Sequence, residues 1–185
     1  MAKLMMIGIV ALVTLGPVWL ALSADEGAGY GWGRPAMEEE IRAWNIDVSS
    51  TGEGLPPGQG TVTQGAGLYA AKCAVCHGPS GLEGPKDRLV GGLGTLNTPK
   101  PIKTVGSYWP YAPTLYDYLH RAMPFYAPQS LTSDEIYSVI AWLLFKNGIV
   151  PEDAVIDART LSLVQMPNRN GFVPDPRPDV RSADR

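Results

Sequence analysis

The chain has 185 residues, of which 45% are hydrophobic and 18% charged, and its formal net charge is −3. This size and composition predict one compact domain with extensions, and the mild charge without a basic stripe argues against nucleic acid as a partner. Prolines and glycines cluster at residues 27–60, 78–113 and 167–178, which predicts long irregular connections around a small helical core.

The first 23 residues are typical of an export signal. Lys3 provides the positive start, and residues 4–22 are almost wholly apolar until Gly16 and Pro17 interrupt them. Ala21 and Ser23 are small residues where a signal peptidase recognises them, so we expect cleavage after Ser23, a periplasmic location and no membrane span in the mature chain. The alternative is an uncleaved anchor, since a stretch of 19 residues just suffices to cross a bilayer.

The following segment, residues 24–62, is mostly linker-like. One short helix is predicted over Pro35–Trp44, because Pro35 suits a first-turn position and the three glutamates at 38–40 complement the positive start of a helix. Residues 52–60, with two adjacent prolines, form a turn-rich break.

Residues 63–148 are predicted to form the central domain, which begins with two helices. The first covers Thr63–Cys76, with apolar residues at spacings of three and four: Leu68, Ala71 and Val75. Residues 78–113 contain seven glycines and are predicted to be irregular. The second helix covers Thr114–Met123 and stops before Pro124; its predicted apolar face is Leu115, Tyr118, Leu119 and Ala122.

The third helix of the domain has the clearest boundaries. Thr132 and Glu135 form a capping box at its start, Gly148 ends it, and its apolar stripe is Ile136, Val139, Ile140, Leu143 and Leu144. The final segment, residues 149–185, is extended except for one helical turn near Ala158–Val164. The predicted fold class is all-α with no sheet, and its thin core calls for a buried macrocycle.

The pattern Cys73-Ala74-Val75-Cys76-His77 is the C-x-x-C-H motif of covalent haem attachment. Thiols at i and i+3 share one helix face, so both can add to the vinyl groups of a single haem, and His77 then binds the iron. A thioredoxin-type redox pair, a zinc site and a plain disulfide are the alternatives. The first needs strands around it, and the second needs four ligands, for which only Cys73, Cys76, His77 and His120 are available.

The sixth iron ligand must come from downstream of the motif. Met123 is the predicted ligand because it ends a helix directly before a proline; His120 and Met166 are the other candidates. Ligation by His and Met fills both axial positions, so the iron would transfer electrons and not bind substrate. Trp109 or Tyr111 could bind a haem propionate, as could the cations Lys103 and Arg121, for which a surface position is the alternative. Further aromatic residues are predicted to wall the pocket: Tyr108, Tyr116, Tyr118, Phe125, Tyr126 and Trp142.

Long stretches outside the motif resemble a known family, namely the cytochrome c subunits of periplasmic sulfite dehydrogenases and the haem domain of the sulfane dehydrogenase cytochrome SoxD. The stretches are YGWGRP (30–35), GLPPG (54–58), KTVGSYWPYA (103–112), RAMPF (121–125), QSLT (129–132) and MPNRNGF (166–172). The resemblance implies a class I cytochrome c fold and supports Met123 as distal ligand. A proline carbonyl usually steadies the proximal imidazole in this fold, and Pro85 is the nearest candidate.

The resemblance also implies partners. A molybdopterin subunit would oxidise the sulfur compound, this haem would accept the electrons, and a small soluble cytochrome c would receive them. A full-length SoxD has two haem motifs, whereas this chain has one, which favours the monohaem sulfite-dehydrogenase type. Residues 24–62 and 149–185 are hypothesised to lie across the catalytic subunit; the alternative is that both wrap the haem domain itself.

Two other functions compete with that of an electron-transfer subunit that is not catalytic alone. A free periplasmic shuttle is the first, although such a protein does not need long terminal segments. A haem enzyme such as a thiosulfate dehydrogenase is the second. That chemistry calls for a labile or cysteine iron ligand, and the chain has no third cysteine.

Overall fold

The computed structural model describes residues 32–175, and the predicted signal sequence lies outside that range. Within it the chain forms six helices and two short strands, all in the compact unit that starts at Glu38. The helices are α1 (Glu38–Trp44), α2 (Val62–Lys72), α3 (Ala74–His77), α4 (Pro113–Ala122), α5 (Ser133–Lys146) and α6 (Ala158–Leu163). The strands are β1 (Gln59–Thr61) and β2 (Val155–Asp157). No helix among residues 32–175 is long and apolar enough to cross a bilayer.

Helix α5 is the centre of the core. Its capping box is present as predicted: the Glu135 N–H donates to the Thr132 hydroxyl, and the Thr132 N–H donates to the Glu135 carboxylate over 2.9 Å. Every residue of 136–144 is buried, so α5 is surrounded by the rest of the chain and does not pack through a single apolar stripe alone. Gly148, with φ of 69°, follows the end of the helix, in agreement with the predicted stop.

Helix α2 packs against α5 through a face that differs from the predicted one. Its buried residues are Val62, Gly65 and Tyr69, whereas Ala71 and Val75 are exposed. The Tyr69 ring stacks on Trp142 of α5 with 3.9 Å between ring centroids. The predicted face was wrong at Ala71 and Val75, although Leu68 does pack against the core. The main contact with α5 uses a small residue for close approach and an aromatic ring for area. The helix also ends at Lys72, before the predicted Cys76.

The prediction of no sheet was wrong as well. Strands β1 and β2 pair antiparallel, with Gly60 opposite Ile156. A Cβ added at Gly60 would overlap the backbone nitrogen of Ser138, so only glycine lets β1 lie this close to α5. Each strand has three residues, too few to show a period of two in the sequence. The pair joins one strand from the N-terminal segment to one from the C-terminal segment.

Helix α4 positions the distal side of the predicted haem site. Pro113 occupies its first turn, and its buried residues are Pro113, Leu115 and Tyr116. The predicted face included Tyr118, which is exposed; Tyr116 is buried in its place because its ring packs on Tyr137 and its hydroxyl bonds that of Ser133 over 3.0 Å. Helix α1 starts at Glu38, three residues after the predicted start, and buries none of its side chains.

Candidate haem site

The two cysteines lie at the junction of α2 and α3. Cys73 is the C-cap of α2 and donates its N–H to the Tyr69 carbonyl over 2.9 Å. Its own carbonyl accepts the N–H groups of Cys76 (3.1 Å) and His77 (3.0 Å). Both thiols are free and half-buried. A single helical turn therefore places two thiols and an imidazole together, as covalent haem attachment requires.

The protonation of Cys73 argues against a thioredoxin-type redox role for the pair. Burial raises the pKa of its thiol to about 11, and the neighbouring Lys72 only partly opposes that effect. A cysteine of a thioredoxin-type redox pair needs a lowered pKa, because the thiolate is the reactive species. A zinc site would need four ligands that converge on one point, and among residues 32–175 no three His, Cys, Asp or Glu side chains converge in that way, those of the motif included.

The His77 ring is oriented by one hydrogen bond, from Nδ1 to the backbone carbonyl of Asp87 over 2.8 Å. A carbonyl can only accept, so Nδ1 carries the proton and Nε2 keeps its lone pair for iron. The carbonyl comes from Asp87 and not from Pro85, which corrects the expectation that the resemblance gave. The ring is therefore in the tautomer that an axial haem ligand needs.

The loop that supplies the Asp87 carbonyl is fastened to α3. Lys86 donates its N–H to the Cys76 carbonyl over 3.0 Å, and the buried Tyr69 hydroxyl donates to the Gly78 carbonyl over 3.0 Å. A Cβ added at Gly84 would overlap the Cys76 carbonyl oxygen, so the loop closes this tightly only with glycine there. Sequence reasoning missed both Tyr69 and Asp87. Tyr69 could have been found as the aromatic residue one turn before Cys73, but no pattern indicates a backbone carbonyl.

The distal candidate, Met123, directly follows α4. It is half-buried in an extended conformation, and its N–H donates to the Leu119 carbonyl over 3.1 Å. The loop after it returns to the same helix, because Gln129 donates its N–H to the His120 carbonyl over 3.1 Å. Of the rival ligands, Met166 is only 2% exposed and belongs to the hydrophobic core, while the His120 ring lies beside Tyr116.

The predicted propionate-binding residues have varied surroundings. Trp109 is half-buried, edge-on to Tyr118 at 5.7 Å between centroids. Tyr111 lies under the guanidinium of Arg169 at 4.8 Å. The Arg121 guanidinium is held by two carboxylates, Asp117 and Asp47, so a propionate role would require breaking both pairs.

Lys103 lies over the Tyr108 ring at 4.9 Å, within the irregular stretch of residues 78–113.

The C-terminal segment packs on the same irregular stretch. Met166 enters the core, the Asn168 amide donates to the Tyr108 carbonyl over 2.7 Å, and the Phe172 ring meets Tyr108 edge-on. Residues 166–172 therefore wrap the domain itself.

In this small helical domain one helix leads into the C-x-x-C-H turn, and a later helix crosses it. Such a domain is a class I c-type cytochrome, and the geometry of the haem site agrees with that class. Comparisons with known proteins agree. The family model for cytochrome c oxidase, cbb3-type, subunit III matches residues 60–143. The solved structure of the sulfane dehydrogenase SoxCD from Paracoccus pantotrophus is similar with a TM-score of 0.75 and 47% identity, over 80% of this chain and 74% of that one. No curated protein matches.

The chain belongs to the SoxD-like family of class I cytochromes c. Membership implies a haem c cofactor and the role of a haem electron-transfer subunit. The residues at the site fit that cofactor, since two thiols and an Nε2 lone pair come from one turn of the chain.

Proposed function

We propose that this chain is the monohaem electron-transfer subunit of a periplasmic sulfur-compound dehydrogenase. One haem is bound covalently by Cys73 and Cys76, and its iron is ligated by His77 Nε2 and the Met123 thioether. The observation that carries the proposal is the His77–Asp87 hydrogen bond beside two free thiols, because it prepares a haem ligand.

When bound, haem supplies one-electron redox chemistry, and this chain's residues orient and enclose it. Asp87 fixes the His77 ring, and the fastened loop of residues 78–90 holds Asp87 in place. Met123 would supply the second protein ligand to the haem iron, which would leave no position for a substrate and favours electron transfer over catalysis by the chain alone.

The proposed electron donor is a molybdopterin catalytic subunit, and the proposed acceptor is a small soluble cytochrome c. Similarity to a chain of the sulfane dehydrogenase SoxCD supports the donor.

Residues 166–172 pack on their own domain, which supports the wrapping alternative for that part of the C-terminal segment. We therefore assign docking of the catalytic subunit to α1, which buries no side chain and exposes Ile41 and, at 85%, Trp44. A helix of seven residues is marginal in water alone and gains most from packing on a partner.

Maturation in a host competent for cytochrome c assembly tests the haem assignment. The intact mass should equal the polypeptide from residue 24 plus one haem, and Met123→Ala should lose the methionine–iron absorption band while keeping the covalent haem. The bare polypeptide mass would refute attachment, and a mass that includes residues 1–23 would refute the cleavage.

Purification with its native companions tests the partner. A stoichiometric molybdenum subunit and reduction of the haem by sulfite or another sulfur compound are expected. Trp44→Ala should weaken the complex, and Phe172→Ala is the matched control that should leave it intact. A haem protein that purifies alone and accepts electrons from unrelated dehydrogenases would favour the second candidate, a free periplasmic shuttle.

A further inference from the structure

Helix α4, which ends at the residue before Met123, has a cluster of charged side chains in its last two turns. Asp117 and Arg121 lie one turn apart, and the guanidinium donates from Nε to Oδ2 over 2.9 Å and from Nη2 to Oδ1 over 2.8 Å. The same Nη2 donates to Asp47, which precedes Arg121 by 74 residues. We call Asp47, Asp117 and Arg121 the Arg121 cluster.

The cluster also anchors the backbone of the N-terminal segment. The Val48 N–H donates to Asp117 Oδ1 over 2.9 Å, and the Val48 side chain is buried in the hydrophobic core. Asp117 thus bonds its own helix and the crossing segment at once. Arg121 makes two parallel charge-assisted hydrogen bonds to Asp117 and a further one to Asp47. This arrangement fixes the geometry of the connection, unlike a single flexible ion pair at the surface.

We propose that Asp47, Asp117 and Arg121 are positioning residues that hold the last turn of α4 in place and so keep the Met123 thioether on the haem iron. The proposal rests on the proposed function, in which Met123 is the distal ligand. It adds a role for the N-terminal segment at the redox site, through residues 47 and 48.

The reason is the way in which Met123 is supported. Helix ends fray, because their last carbonyls and side chains have few partners. Met123 lies one residue beyond α4, and Arg121 is the charged residue nearest to that end. If the cluster is broken, the final turn opens more often, and an external ligand can replace the thioether. Breaking the cluster should change ligand replacement at the iron more than the free energy of unfolding, since exposed ion pairs contribute little to global stability.

Imidazole titration of the ferric holoprotein tests the proposal, with loss of the methionine–iron band as the signal. Asp47→Asn and Arg121→Gln should each bind imidazole about fivefold more tightly than the unmodified protein, the factor to which roughly 1 kcal/mol corresponds. The double variant should add little to either single change, because both break one connection. Asp47 is the more decisive position, since its side chain is 74% exposed and its replacement does not disturb packing.

Glu135→Gln is the matched control. It breaks the Lys72–Glu135 ion pair of 2.8 Å between α2 and α5, whose side chains are 33% and 26% exposed, and glutamine preserves the capping box. This variant should bind imidazole as the unmodified protein does. Equal tightening in the control would show a general loss of stability and would overturn the proposal, as would unchanged binding in both cluster variants. Absence of the band in the unmodified protein would instead reject Met123 as ligand.

Discussion

Gly65 gives the sharpest test of how this fold is held together. It lies on the face of α2 that crosses α5, where an added Cβ would overlap the Ser138 carbonyl oxygen and come within 2.8 Å of the Trp142 Cβ. Neither neighbour can yield as a flexible side chain would, because one is backbone and the other is the root of a buried indole. Gly65→Ala must therefore push the two helices apart.

The expected magnitude follows from two opposed effects. Alanine in a helix is favoured over glycine by about 1 kcal/mol, whereas overpacking of a rigid contact costs about 3 kcal/mol. Gly65→Ala should thus lower the free energy of unfolding by about 2 kcal/mol, and the Tm by about 4–8 °C for a chain of this size. Urea denaturation of the holoprotein, followed by helical circular dichroism, measures the change.

Gly67 provides the control within the same helix. An added Cβ there meets nothing within 4 Å, so Gly67→Ala should stabilise the protein by about 1 kcal/mol through helix propensity alone. The two substitutions are chemically identical and two residues apart. If Gly65→Ala proves as stable as Gly67→Ala, the close helix crossing described here is incorrect.

Three further predictions concern other parts of the domain. Asn147→Ala should cost about 2–3 kcal/mol of unfolding free energy, because its buried amide accepts from the Gly91 N–H and donates to two carbonyls. Met166→Ala should cost about 2–5 kcal/mol by leaving a cavity, while the methionine–iron band remains unchanged. Glu135→Gln should cost roughly 0.5 kcal/mol at neutral pH and nothing in acid.

The pH dependence of the last prediction follows from the direction of the shift. The Lys72 hydrogen bond, helped by the Thr132 N–H, holds the pKa of Glu135 below its ordinary value. A lowered folded-state pKa contributes stability above the unfolded pKa of about 4.3 and loses it as the pH falls through the folded value. Unfolding curves of both proteins should therefore converge in acid. A difference in unfolding free energy that persists in acid would contradict the ion-pair explanation for Glu135. Loss of the methionine–iron band in Met166→Ala would identify Met166 as the iron ligand. An Asn147→Ala variant as stable as the unmodified protein would refute the three hydrogen bonds of Asn147.

Local signals in the sequence were sufficient for much of the fold. The capping box of Thr132 and Glu135 and the following apolar stripe determine α5, because a helix start and a period of 3.6 are properties of adjacent residues. The C-x-x-C-H turn is equally local, since helix geometry alone brings its three side chains together. Proline and glycine likewise indicated the irregular stretch between α3 and α4.

Tertiary structure alone decided which faces are buried and what orients the site. Burial of Gly65 and Tyr69, in place of Ala71 and Val75, depends on how closely α5 approaches. The Asp87 carbonyl reaches His77 because a loop folds back, and a backbone carbonyl has no side-chain signature. Asp47 meets Arg121 from 74 residues away. A sequence specifies its local geometry directly, but contacts between distant segments exist only once the chain has packed.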